Sequence, residues 1–167
     1  MKPIRKAVRT FLIVDNKVVA IKYTTDDYKK DFYDIPGGGV EDGETKEETA
    51  IREFREEAGM EIINPQYAGN LVIEYPDRVF DMTIFITSEY KGSPKETSEN
   101  IAEWIEIDEL LNKEKKFTEI YLLDNYHRSE LLNKSNFKWH FISDKNHNFI
   151  DEIFYSNGEK FWSEYLD

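Results

Sequence analysis

The chain of 167 residues contains no cysteine. This absence excludes a disulfide framework, a thiol nucleophile and a thiolate metal site. It also has no apolar run of membrane-spanning length, and the opening Met-Lys-Pro-Ile-Arg-Lys is not followed by the apolar core of a signal sequence. These absences predict a soluble, cytoplasmic protein with no membrane partner.

Basic residues are also fewer than acidic residues. Lys and Arg number 22 against 34 Asp and Glu, so the formal net charge is −12. Such a surface repels phosphate backbones and argues against a nucleic-acid polymer as partner. A small nucleotide remains compatible with it, because a bound divalent cation reverses the sign of the potential locally.

Internal repeats, low-complexity tracts and linker-like stretches are lacking as well. The length suits one domain with a substantial core. We therefore expect a single domain over residues 1–167, acting as a monomer or a homodimer.

What the chain does contain, over residues 37–60, is a glycine-rich turn that leads into a helix. Thr45 lies three residues before Glu48, which is the spacing of a capping box, and Gly59 is a favoured helix-ending residue. Apolar side chains recur at spacings of three and four and predict one buried stripe. These residues are Ala50, Ile51, Phe54 and Ala58.

Three glutamates, Glu53, Glu56 and Glu57, fall on a different face, because they stand at the helical neighbour spacings. A solvated acidic face is one interpretation of this cluster. Two features favour a site for a hard divalent cation instead. Arg52 can hold Glu56 one turn away, and the backbone of the preceding glycines can closely approach a ligand.

The segment resembles the Nudix box, G-x5-E-x7-R-E-U-x-E-E-x-G-U, where U is a bulky aliphatic residue. Every polar position and both glycines match, from Gly38 to Gly59. Only Phe54 and Met60 depart from the usual aliphatic residues, which bears on packing rather than chemistry. The resemblance implies a Nudix hydrolase with an α+β fold, in which a mixed β-sheet is sandwiched between α-helices.

The resemblance also implies a metal site. The residues that match the family's metal ligands are Glu56 and Glu57, usually joined by a backbone carbonyl at Gly37 or Gly38. A further acidic ligand often lies outside the box, and Glu99 is the candidate here; the alternative is an ordinary solvated loop glutamate. The implied cofactor is Mg²⁺, with Mn²⁺ as the second choice.

Three more residues of the box have roles implied by the resemblance. Glu53 is either an additional metal ligand or the base that activates water. Arg52 orients the glutamates, and Glu44 contributes less.

From about Phe80 to Ile153 the chain resembles the MutT-related enzymes that hydrolyse oxidised purine nucleoside triphosphates. Their base pocket is lined by Trp-Pro-Asp-Asp, and the stretch matched to it here is Tyr121-Leu-Leu-Asp124, which has one acid fewer. Tyr121 would stack on a base and Asp124 would bind a purine edge, although packing and solvated roles are equally open. Tyr33 and Asp34 are further candidates, with Asp34 replacing a pocket Asn.

The function implied is Mg²⁺-dependent hydrolysis of a nucleoside triphosphate to a monophosphate and pyrophosphate, in nucleotide-pool sanitation. Pro76 and Tyr75 keep open an ADP-ribose or dinucleoside polyphosphate pyrophosphatase, although Tyr-Pro-Asp is also typical of a hairpin turn. A catalytically silent nucleotide-binding domain is disfavoured because no box glutamate is lost.

Apolar alternation and turn residues predict the remaining elements. Asp15-Asn16 is the turn of the first hairpin. Strands are expected over residues 7–14, 17–23, 33–35, 67–75, 79–90, 102–107, 137–143 and 149–156. Helices are expected over 108–111 and 119–132, and a short docking helix within 157–167.

Overall fold

A large mixed β-sheet organises the computed structural model, which describes residues 1–25 and 28–156. Its strand order is β11-β10-β6-β7-β1-β2-β3, with β4 paired to β1 and β9 paired to β2. A separate two-stranded sheet joins β5 and β8. The strands are β1 (Ile4–Val14), β2 (Lys17–Tyr23), β3 (Tyr33–Asp34), β4 (Gly37–Gly39), β5 (Glu61–Ile63), β6 (Gln66–Glu74), β7 (Val79–Thr87), β8 (Glu89–Lys91), β9 (Asn100–Glu106), β10 (Phe137–Ser143) and β11 (Phe149–Ser156).

Few helices accompany this sheet in the described ranges. They are α1 (Lys46–Ala58), α2 (Ile107–Leu111), a 3₁₀ helix (Thr118–Leu123) and α3 (Arg128–Leu132). None of the helices described is long and apolar enough to cross a bilayer. The docking helix predicted within 157–167 lies outside the described residues.

The sheet is mixed because β1 runs parallel to β7 and β10 runs parallel to β6, whereas β6 and β7 are antiparallel. The predicted α+β class with a mixed sheet is therefore confirmed. The first hairpin also forms as predicted, and Asp15 takes the positive φ of 55° that its turn requires.

Strand β1 divides the core, since successive side chains of a strand point to opposite faces. Ala7, Phe11 and Ile13 belong to the larger apolar cluster, on the side of the 3₁₀ helix and β10. Val8 and Leu12 point the other way and pack in the cluster that contains the apolar face of α1. Both faces of β1 are thus buried, and α1 is fixed against one of them.

The glycines before α1 form strand β4 rather than the predicted loop. Val8 is paired with Gly38, and Arg9 with Gly37. A Cβ on Gly37 would lie only 1.9 Å from the Val8 carbonyl oxygen. The glycine is needed because two backbones approach each other here.

The single strand predicted over residues 79–90 is wrong. Strand β7 ends at Thr87, whose hydroxyl donates to the Ile63 carbonyl at 2.7 Å and accepts from the Glu89 N–H at 3.1 Å. The chain then changes partner, and β8 pairs with β5. A hydroxyl that bonds backbone groups locally competes with the strand ladder, and this competition divides the apolar run.

The single helix predicted over residues 119–132 is also wrong, because the segment consists of the 3₁₀ helix and α3. Asp124 lies between the two helices. Its Oδ1 accepts from the backbone N–H groups of Tyr126 at 2.9 Å and His127 at 3.0 Å. An aspartate that bonds its own downstream backbone favours a turn over a continuous helix.

Candidate active site

Helix α1 carries the candidate site, and its ends are fixed by local bonds. The Thr45 hydroxyl accepts from the Glu48 N–H at 3.1 Å, and the Glu48 carboxylate accepts from the Thr45 N–H at 3.1 Å. Gly59 ends the helix with a φ of 69°. The predicted capping box and helix end are therefore confirmed. With Phe54 and Ala58 buried, the helix has one orientation on the sheet.

Arg52 links the carboxylates of this helix to the loop before it. Its Nε donates to Glu44 at 2.6 Å, and its Nη1 lies 2.9 Å from Glu53 Oε1 and 3.3 Å from Glu56 Oε2. Its Nη2 donates to the Gly39 carbonyl at 3.2 Å. One guanidinium thus orients three carboxylates and ties α1 to β4.

Glu44 is held in its ionised form by this network. Hydrogen bonds from Arg52 and then from the Thr49 hydroxyl lower the pKa of Glu44 to about 2. The ion pair and the 2.6 Å contact from Thr49 fix the loop between β4 and α1. In this structure Glu44 positions Arg52.

Glu57 has the opposite environment. Its Oε1 accepts from the Gly37 N–H at 2.7 Å, and burial raises the pKa of Glu57 to about 8 against the lowering effect of Arg9 and of that N–H. Burial also raises the pKa of Glu53, although Arg52 partly opposes this. The charge of Glu56 also raises the pKa of Glu53, and the charges of Asp34 and Glu53 also raise the pKa of Glu57. A cation placed between Glu53 and Glu57 would favour both ionised forms.

A cleft of about 400 Å³ brings the predicted metal-site residues together. It is lined by Gly37, Gly38, Glu53, Glu56, Glu57 and Glu99. A Cβ at Gly38 would lie 2.5 Å from the Glu53 carboxylate, so that carboxylate rests directly on the glycine backbone.

The loop that carries Glu99 is tied to both sides of the cleft. The Glu99 carbonyl accepts from the Thr24 N–H at 2.9 Å. The next residue, Asn100, donates from its side chain to the Glu57 carbonyl at 2.7 Å. These bonds hold the Glu99 backbone beside the end of α1.

The donor set of the cleft fits a hard divalent cation, because it consists of carboxylate and backbone oxygens. Over residues 1–25 and 28–156, no three acidic or histidine side chains converge into a ready-made cation cage. Arg52 and the Gly37 N–H hold the three helix carboxylates, as described above. A cation would therefore draw oxygens from these existing bonds.

A second cavity of about 400 Å³ adjoins the cleft, and Arg9, Tyr23, Lys29 and Phe80 line both. We call it the deep cavity. Its walls are mostly aromatic. Tyr23, Tyr75, Phe80, Phe117 and Phe149 contribute rings to it. Cavities of this size with a few polar groups are typical of sites for small ligands.

Three charged residues form the floor of the deep cavity. Arg9 Nε lies 3.0 Å from Glu119 Oε2, and Arg9 Nη2 lies 3.5 Å from Asp34 Oδ2. The Tyr23 hydroxyl donates to Asp34 at 2.9 Å. Burial, followed by the charge of Asp34, raises the pKa of Glu119 to about 8. Burial disfavours the Arg9 cation, but Asp34 and Glu119 raise its pKa above the ordinary value.

The predicted substrate residues are only partly found at these cavities. Asp34 belongs to the floor of the deep cavity. Tyr33, Tyr121 and Asp124 line neither the cleft nor the deep cavity. Tyr121 is 42% exposed under Lys116, and Asp124 binds the backbone and ring of His127. The tight turn of the 3₁₀ helix explains this, because it directs Glu119 inward and Tyr121 outward.

Sequence reasoning missed Arg9 and Glu119. A signal for Arg9 does exist in the chain. Ala7, Phe11 and Ile13 share the inward face of β1, and Arg9 occupies the same face by the period of two. A charged residue at an inward strand position is rarely buried without a partner. Glu119 gives no comparable signal, because its burial depends on where the irregular segment after α2 crosses the sheet.

The site combines three features: carboxylates on α1, a glycine strand beneath them and an aromatic cavity next to them. It suits a divalent cation together with a ligand that carries both phosphate and an aromatic ring.

Comparison with known proteins identifies the family. Residues 3–126 match the family model of the NUDIX domain. The chain therefore belongs to the Nudix family of pyrophosphohydrolases, and this prediction is confirmed.

Two relatives and one solved structure are informative. The mouse oxidized purine nucleoside triphosphate hydrolase is 31% identical over 107 residues, which are 63% of this chain and 65% of the mouse protein. The Escherichia coli 8-oxo-dGTP diphosphatase is 28% identical over 110 residues, which are 64% of this chain and 83% of the Escherichia coli protein. The crystal structure of a MutT protein from Bacillus halodurans superposes with a TM-score of 0.74 at 18% identity, covering 90% of this chain and 97% of that one. The fold is thus the MutT-like Nudix fold.

Proposed function

We propose that this Nudix hydrolase cleaves a nucleoside triphosphate, oxidised purine nucleotides included, to a monophosphate and pyrophosphate in a Mg²⁺-dependent reaction. The observation that carries the proposal is the junction of the two cavities. Arg9, Tyr23, Lys29 and Phe80 belong to both, so a ligand with phosphates in the cleft would have its base in the deep cavity. The named activities of the mouse and Escherichia coli relatives support the same substrate class.

Glu56 and Glu57 would hold the metal, with Glu53, Glu99 and a carbonyl of the glycine strand β4 as further oxygen donors. When bound, Mg²⁺ supplies charge neutralisation on the phosphoryl oxygens and lowers the pKa of water; Mn²⁺ could replace it. The side chain of Glu56 is 58% exposed against 15% for Glu53, so its carboxylate can turn from Arg52 toward a ligand.

Glu53 has two candidate roles, a metal ligand or a base that takes a proton from the attacking water. Burial raises the pKa of Glu53, which makes its carboxylate a better proton acceptor than that of an ordinary glutamate. Arg52 would keep the Glu53 carboxylate in place in either role, and Glu44 would keep Arg52 in place. Arg5 and Lys29, which line the cleft, are cations suited to the outer phosphates.

Glu57→Gln tests the proposed function. The substitution removes the charge at nearly constant volume, and a glutamine oxygen can still accept from the Gly37 N–H. We expect pyrophosphate release to fall by more than about a hundredfold while the circular dichroism spectrum is unchanged. Glu47→Gln is the matched control, because Glu47 is an exposed residue of the same helix. Full turnover by Glu57→Gln would contradict the assignment.

A second candidate function is pyrophosphate hydrolysis of ADP-ribose or a dinucleoside polyphosphate. It is favoured by one observation, the presence of Tyr75 in the wall of the deep cavity with Arg78 4.3 Å from its ring. Pro76 itself lies in the turn between β6 and β7, closed by a 2.8 Å bond from the Tyr75 N–H to the Arg78 carbonyl. A substrate panel with Mg²⁺ separates the two functions. It contains 8-oxo-dGTP, the ordinary nucleoside triphosphates, ADP-ribose and diadenosine polyphosphates.

A further inference from the structure

Arg9 is the most accessible charged group on the floor of the deep cavity. Its side chain is 13% exposed, against 2% for Asp34 and 5% for Glu119. A ring that enters between the aromatic walls therefore reaches the guanidinium before it reaches either acid.

The two acids are already engaged. Asp34 accepts from the Ile35 N–H at 2.7 Å through Oδ1 and from the Tyr23 hydroxyl at 2.9 Å through Oδ2. Glu119 faces Arg9 at 3.0 Å. Neither carboxylate is placed to accept first from an amino group of a ligand.

The Arg9 guanidinium, by contrast, has N–H groups that make no hydrogen bond to the described residues. Among the described residues only its Nη1 meets hydrogen-bond geometry, with the Ile35 carbonyl at 3.2 Å. The contact with Glu119 is an ion pair in which Nε lacks that geometry. An arginine has five N–H groups and no acceptor. The Nε donor of Arg9 is buried, so the donors that remain for the cavity are those of Nη2, 3.5 Å from Asp34, and the second N–H of Nη1.

The geometry points to Arg9 as the residue that sets base specificity, by selecting a purine with a carbonyl at position 6 over one with an amino group there. An arginine can donate to O6 and N7 of such a purine together, or to O6 alone where oxidation at C8 has placed a proton on N7, whereas a 6-amino group presents a second donor to the cation. This inference rests on the proposed function, because it assumes that the deep cavity holds the base.

Inosine and adenosine 5′-monophosphates test the inference, because the two purines differ only in the groups at position 6 and at N1. Their affinities would be measured by calorimetry in EDTA, so the readout does not depend on metal or turnover. We expect the inosine nucleotide to bind about tenfold or more tightly, the ratio that one hydrogen bond to a charged group gives. Equal affinities in the unmodified protein would overturn the inference.

Arg9→Met should bring the affinity ratio to within about twofold, because the selective donors are gone. Arg55→Gln is the control, since Arg55 is an exposed arginine on α1 paired with Glu61, and it should keep the ratio. A preference that survives in Arg9→Met would overturn the inference. If that variant does not fold, Arg9→Met/Glu119→Leu removes the ion pair as a unit, and the same expectation applies to it.

The inference and the proposed function fail in different ways. Unimpaired turnover in Glu57→Gln would remove the proposed metal site and leave the nucleotide-binding ratio untouched. Normal triphosphate hydrolysis with equal binding of the two monophosphates would keep the function and remove the role of Arg9.

Discussion

The cleft and the deep cavity each contain an arginine among carboxylates, but the charges balance differently. Arg52 faces Glu44, Glu53 and Glu56, with Glu57 nearby, so four carboxylates surround one arginine there, although Arg5 and Lys29 also line the cleft. Among the described residues, Arg9 forms ion pairs with Asp34 and Glu119. Carboxylates thus outnumber the arginine by three around Arg52 but by one around Arg9, and Glu119 removes that last charge when it keeps its proton.

Burial differs between the two regions as well. The side chain of Arg52 is 20% exposed and Glu56 is largely in solvent, whereas Asp34 and Glu119 are almost fully buried. A charge is costly to bury unless it is paired. We therefore expect substitution of Arg52 to affect mainly turnover, and substitution of Arg9 to affect the stability of the fold as well.

The largest effect on stability is expected for Arg9→Met. It leaves Asp34 and Glu119 buried without their cation, and breaking a buried pair in this way costs about 3–5 kcal/mol. Chemical denaturation would measure the free energy of unfolding. Arg9→Met/Glu119→Leu should recover part of the loss, because only Asp34, which still accepts from the Tyr23 hydroxyl and the Ile35 N–H, then remains without the cation. If Arg9→Met were as stable as the unmodified protein, Arg9 would not have the larger effect on stability that we expect in the deep cavity.

Arg52→Gln is expected to affect turnover far more than stability. The residue is partly exposed, so the free energy of unfolding should change by only about 1 kcal/mol. Pyrophosphate release should fall about 10–100-fold, because Glu53 and Glu56 lose the group that orients them. Steady-state kinetics would measure the fall in pyrophosphate release, and chemical denaturation of the same preparation would measure the change in the free energy of unfolding. If Arg52→Gln lost as much stability as Arg9→Met, the two arginines would not differ in their effect on folding, contrary to our expectation.

A pH dependence of stability is also expected, and it appears as a difference in slope rather than as a loss at one pH. The pKa of Glu119 is about 8 in the folded chain, against an ordinary value of 4.5. As pH rises between these values, the unfolded chain releases a proton that the folded chain keeps, so stability falls. Glu119→Gln should therefore show a shallower decline between pH 5 and pH 8 in denaturation experiments. The decline does not vanish, because Glu57 has a raised pKa of the same sign.

The cleft could be predicted from the sequence almost residue by residue. Helix α1 depends on bonds and contacts within a few residues, such as the Thr45–Glu48 pair and the spacing of Phe54 and Ala58. The helical repeat then places the glutamates on one face. Glu99, chosen from outside the box, also lines the cleft; its role as a ligand stays a prediction.

The deep cavity could not be predicted in this way. The expected helix over 119–132 suggested that Tyr121 and Asp124 face a base, but Asp124 turns the chain and Tyr121 points outward. The residue that does reach the cavity is Glu119, which lies far from Arg9 in sequence. Periodicity within one segment contains no information about which distant segment lies opposite it.

The family, the helix α1, most strands and the carboxylates of the cleft could be read from the amino-acid sequence, because these depend on short-range spacing. Two features required the folded chain: the glycines form strand β4 on β1, and Arg9 lies against Asp34 and Glu119 beneath the aromatic walls. The physical reason is burial. Whether a charged side chain lies in solvent or in a cavity floor depends on the segments that cover it, and only the assembled sheet brings those segments together.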